Sequence, residues 1–153
     1  MHTRRNFRNA ANALFAATAL CAGAFATAAP LCVGDSAALT QAFWTASNDE
    51  DATEIRIKVG TYSAPVGGWH YTPSPLDRFE DFTVSGGWQG DCSSQLFDST
   101  LTKLSGSNTR RILTMVRGQG NPGTVSLSRL TLLNAFSAAE ANFDNLGVAL
   151  RID

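Results

Sequence analysis

The chain has 153 residues, 44% of them hydrophobic and only 16% charged, with a formal net charge of −1. That balance excludes the basic surface a nucleic-acid partner would require and leaves no polybasic membrane patch. The length suits one domain with a modest core.

Arg4, Arg5 and Arg8 open the chain, Ala10 to Ala29 is apolar and alanine-rich, and Ala26-Thr27-Ala28 offers a small-residue cleavage site. This is the pattern of a secretory signal peptide over 1–29, leaving 30–153 as the mature domain. Thr3-Arg4-Arg5-Asn6-Phe7 also resembles a twin-arginine signal, with Arg8 in place of the usual apolar residue, so export by the Sec or the twin-arginine route is expected. Leu20 is not the small residue that a lipoprotein site places before its cysteine, so Cys21 is read as part of the signal. No other stretch is apolar enough to span a bilayer, and the expected destination is the periplasm, the cell surface or the medium.

Cys32 and Cys92 are the cysteines of the mature region. In an oxidising compartment an isolated pair predicts a disulfide, here closing a loop worth about 4 kcal/mol in the chain-entropy account. A two-cysteine metal site would need further ligands, and His70 is the one mature histidine, so no metal and no other cofactor is expected.

Asp35-Ser36 reads as a helix N-cap, with Leu39, Ala42, Phe43 and Ala46 at helical spacing and Asn48-Asp49-Glu50-Asp51 ending the helix. Such a helix would plug the first strands and cover their unpaired edge. Five alternating segments follow: Ile55–Val59, Phe82–Ser85, Thr102–Ser105, Val125–Ser128 and Val148–Ile152. Their central apolar residues, at positions 57, 84, 104, 127 and 150, step by 27, 20, 23 and 23. A period in the low twenties predicts stacked β-solenoid coils with Val84, Leu104, Leu127 and Leu150 facing one shared interior. Between these segments, Ser63 to Asp81 reads as a projecting Pro/Gly-containing loop, Gly86-Gly87 as a tight turn ending its strand, and Ile112–Val116 as a further strand. A phase slip near Ser128-Arg129 predicts a bend, and Asn134 stands where a stacked amide could bond to a neighbouring coil. An alternative fold is a small antiparallel β-sandwich with Gly118–Gly123 as a hairpin turn.

Val59-Gly60-Thr61-Tyr62, then Val84-Ser85-Gly86-Gly87-Trp88 with Cys92, then Val125 to Ala135 with its Leu-Thr-Leu-Leu-Asn core, resemble the N-terminal part of bacterial secreted right-handed parallel β-helix proteins. These are the pectate-lyase-like and polymorphic outer-membrane-protein-like families, and the likeness runs over roughly 31–153. It implies an all-β right-handed parallel β-helix of about four coils with an N-terminal capping helix. Relatives of this kind continue for many more coils, so the chain is expected to be an N-terminal portion. Its last strand would then leave an open edge through which the protein self-associates. The lyase branch carries carboxylate and basic sets on its coils, and none is recognisable here. The resemblance therefore implies a secreted or cell-surface module with a structural, adhesive or binding role, its partner a polysaccharide or cell-surface component. The competing expectation is a remnant or N-terminal piece of a polysaccharide-active, lyase-like enzyme.

Few residues offer chemistry. Trp69, His70 and Tyr71 form the most suggestive cluster, since loop aromatics stack on sugar faces and an imidazole moves protons near neutrality. The competing reading is an anchoring aromatic cluster. Asp49, Glu50, Asp51 and Glu54 lack the spacing of a calcium loop, and Asp77, Glu80 and Asp81 surround Arg78 as a salt-bridged turn would. No Gly-x-Ser-x-Gly elbow and no phosphate-cradling glycine loop is present, and Arg110-Arg111 reads as a surface pair. No catalytic residue is therefore assigned.

Overall fold

The computed structural model describes residues 29–49, 53–72, 81–116, 123–136 and 150–152. The expected signal peptide, up to residue 28, and residues 118–122 of the alternative hairpin turn lie outside them. In chain order the elements are β1 (Leu31–Val33), α1 (Ser36–Ala46), β2 (Glu54–Lys58), β3 (Gly60–Ser63), β4 (Trp69–Tyr71) and β5 (Phe82–Gln89). They continue with β6 (Ser94–Gln95), β7 (Thr102–Ser105), β8 (Leu113–Met115), β9 (Val125–Ser128), β10 (Thr131–Leu133) and β11 (Leu150–Ile152).

The strands form three small sheets. The first joins β1, β2, β5 and β6, with β9 also on β5; the second runs β10-β7-β3; the third runs β11-β8-β4. All pairings but the β5–β6 one are parallel, which rules out an antiparallel sandwich for the described residues.

The right-handed parallel β-helix of about four coils is overturned by this arrangement. Val84 and Leu127 are register partners in the first sheet, whereas Leu104 belongs to the second and Leu150 to the third. The four residues therefore do not stack, and the strands make separate short sheets rather than one continuous solenoid sheet. The spacing misled because it counted strands of different sheets. True partners such as Ile55 and Val84, then Val84 and Leu127, lie 29 and 43 residues apart, and Tyr62 and Leu104 lie 42 apart. Alternation fixes which way a side chain faces and is silent on which strand lies next to it.

The N-terminal helix forms as its sequence dictates. Asp35 has extended backbone and its Oδ1 accepts the Ala38 N–H at 2.7 Å, while Leu39, Ala42, Phe43 and Ala46 are buried. The helix packs against β1, β2 and β4. A hydroxyl at each end of the helix caps a neighbouring strand: Ser36 Oγ accepts from Ser63 N at 2.9 Å, and Oγ of the C-cap residue Ser47 accepts from Thr72 N at 3.2 Å. Backbone donors at the ends of β3 and β4 are thereby satisfied without another strand. Asp35→Ala should cost about 1 kcal/mol of stability, read as a lowered urea midpoint at unchanged slope.

Beneath the helix the core is continuous. Ile55, Ile57, Tyr62, Trp69, Val84, Leu104, Leu113 and Met115 are essentially inaccessible, and the half-buried Leu127, Leu130 and Leu132 pack against them. Tyr71 and Phe82 stack at 4.0 Å between centroids with planes 6° apart, and Phe43 meets both Trp69 and Phe82 at 6.5 Å.

Two local expectations also change. The Ser63 to Asp81 insert contains β4, so its described part is not a simple projecting loop. Gly86-Gly87 does not end its strand, because β5 continues to Gln89 with a register shift opposite Arg56 and Lys58. A Cβ on Gly86 would collide with the Arg129 carbonyl, and Gly87, at φ 80°, presses against the Leu96 carbonyl; glycine is required for this approach. The strand expected at Val148–Ile152 is described as β11, Leu150–Ile152, paired with β8, and Val148 and Ala149 lie outside the described residues. The phase slip is a corner, with Arg129 at φ 54° between β9 and β10 in different sheets.

Candidate functional site

On β4 the alternation of a strand separates the aromatic cluster. Trp69 and Tyr71 point into the core at 1% and 8% exposure, and His70 between them faces outward. The Trp69 indole N–H donates to Thr40 Oγ1 on α1 at 3.1 Å, so its polar edge is satisfied inside the fold. Neither ring has a face available to a sugar. His70 remains exposed, with Nε2 2.9 Å from the Gly67 carbonyl oxygen. Its register partner is Thr114 on β8, whose Oγ1 lies 3.5 Å from Arg111 Nη1. The backbone register places Arg151 of β11 next in that row. His70, Thr114 and Arg111 thus mark the polar side of the third sheet.

The acidic candidates are dispersed. Glu54 is bound to Arg56, Asp49 stands exposed beyond the helix, and Asp81 Oδ1 accepts the Thr124 N–H at 2.7 Å. Glu50, Asp51, Asp77 and Glu80 lie outside the described residues. Among the described residues no three metal-ligating side chains come together. Asp91 and Asp98 hold pKa values below the usual carboxylate range, chiefly through side-chain hydrogen bonds from Ser93 and Thr100 in exposed turns. Burial, with a smaller contribution from Asp35, raises that of Tyr62, whose hydroxyl donates to the Lys58 carbonyl at 2.9 Å.

The expected disulfide is present. Cys32 and Cys92 are bonded with a Cα–Cα distance of 5.8 Å, joining β1 to the turn after β5.

One cluster escaped sequence reasoning. On the outer face of the first sheet the Arg56 guanidinium makes two hydrogen bonds to Glu54, at 2.9 and 3.0 Å, and a third to the Cys92 carbonyl at 3.2 Å. It also lies over the Trp88 ring, 4.3 Å from the centroid, while the Trp88 indole N–H donates to Ser85 Oγ at 2.8 Å. The hydrogen bond to Glu54 raises the Arg56 pKa above its ordinary value. The signal was in plain view: Glu54 and Arg56 are two residues apart on a strand and so share a face. Arg110 is similarly committed, its Nη1 donating to the Ala64 carbonyl at 2.6 Å.

No family model, curated protein or solved structure matches this chain.

Proposed function

We propose that the chain is an exported module with a structural, adhesive or binding role and no catalytic one, addressed to a polysaccharide or another cell-surface component. The observation that carries this reading is the commitment of its chemistry-bearing side chains to architecture. Trp69 and Tyr71 serve the core, Arg56 joins Glu54, Trp88 and Cys92, and Arg110 ties two segments together. The Cys32–Cys92 bond supports export, since such bonds persist in oxidising compartments. No helix among the described residues is long and apolar enough to cross a membrane. Residues 1–29 are the export signal in this proposal, so the protein recovered from outside the cytoplasm should begin near Pro30.

The test is to incubate purified protein with pectin-type and other acidic polysaccharides, with and without calcium. No unsaturated sugar should be released, whereas retention on an immobilised polysaccharide or on whole cells is expected. Release of unsaturated products that disappears in His70→Ala would replace this reading with a lyase-like one, because His70 is the exposed member of the aromatic cluster.

A further inference from the structure

We propose that the Cys32–Cys92 disulfide is a thiol-exchange site, at which a small-molecule thiol becomes attached to Cys32 and Cys92 is released. The two halves of the bond stand in different surroundings. Cys32 is exposed on β1, the edge strand of the first sheet. Cys92 is 3% exposed, its N–H donating to the Gln89 carbonyl and its own carbonyl held by Arg56. Exchange rates depend on which sulfur an incoming thiolate can reach, and access selects Cys32.

The step balances without an external oxidant. The thiolate of the small thiol forms a bond to Cys32 Sγ, the Cys32–Cys92 bond breaks, and its electron pair leaves on Cys92 Sγ, which takes up a proton. One disulfide is exchanged for another.

Two features favour Cys92 as the leaving group. Its φ of 64° lies in the left-handed region that residues bearing a Cβ seldom adopt, so opening the bond lets the turn relax. Arg56, the register partner of Cys32, also sets its carbonyl oxygen 3.6 Å from Cys92 Sγ, so the released thiol has a hydrogen-bond acceptor in place once it takes up its proton. Exchange would uncouple β1 from the turn that joins β5 to β6, loosening one edge of the first sheet.

The experiment uses the intact oxidised chain and reduced glutathione as the probe thiol, at neutral pH without denaturant. After an acid quench, free thiols are alkylated and the peptides mapped by mass spectrometry. Glutathione on Cys32 with alkylated Cys92 should exceed the reverse pattern by about tenfold or more. Equal occupancy of both cysteines, or glutathione mainly on Cys92, would overturn the assignment. So would exchange no faster than global unfolding, because the bond would then be reached only in the unfolded chain.

Discussion

Trp69→Ala should lower stability by about 3–5 kcal/mol, a large share of what a domain of this size possesses. The indole is 1% exposed, lies beside Phe43 of α1 at 6.5 Å between ring centroids, and donates to Thr40 Oγ1. Its removal opens a cavity where the helix meets the third sheet and leaves the Thr40 hydroxyl without its indole donor. His70→Ala, one residue along the same strand but exposed, should change stability by no more than about 0.5 kcal/mol. Urea unfolding of the two variants side by side measures the contrast. Equal midpoints would mean that β4 does not insert its aromatics into the core.

Loss of the disulfide is the second large effect. The Cys32→Ser, Cys92→Ser double variant should unfold about 4 kcal/mol more easily than the oxidised protein, because the bond restrains two residues 60 positions apart in the unfolded chain. The cost should fall mainly on the first sheet, where β1 and the turn after β5 lose their link. Hydrogen exchange would then show amides of Leu31–Val33 and of the β5–β6 turn losing protection before those of the third sheet. A double variant as stable as the oxidised protein would show that β1 is held by its pairing with β2 and its contacts to α1 alone.

Much of the local structure was legible in the sequence. Asp35 and the Leu39, Ala42, Phe43, Ala46 spacing specify α1, because capping and an apolar stripe are properties of neighbouring residues. The pairing of Cys32 with Cys92 followed from there being no other cysteine beyond the expected signal segment. The alternating segments did become β2, the start of β5, β7, β9 and the end region that holds β11. Partnership between strands was illegible, since it is decided by contacts dozens of residues apart. Leu104 looks like Val84 and Leu127 in sequence yet lies opposite Tyr62 and Leu132. Short strands such as β3 and β4 were hidden for a related reason: Gly60–Ser63 and Trp69–Tyr71 are too brief to display a period, and parallel neighbours define them. The aromatic cluster illustrates both limits. Read as a loop, Trp69-His70-Tyr71 presents three recognition groups; read as a strand, it presents one outward imidazole and two core rings.

The placement of that cluster is where fold and function meet, and indole exchange in solution reports on it directly. Trp44 is 63% exposed on α1, whereas Trp69 is buried with its N–H bonded to Thr40. Transferred to heavy water and followed by nuclear magnetic resonance, the Trp69 indole proton should persist long after that of Trp44 has exchanged. It should also stay unmoved when acidic oligosaccharides are added. Exchange of Trp69 as fast as Trp44, together with a shift on adding oligosaccharide, would contradict the account and return the cluster to a ligand-facing loop.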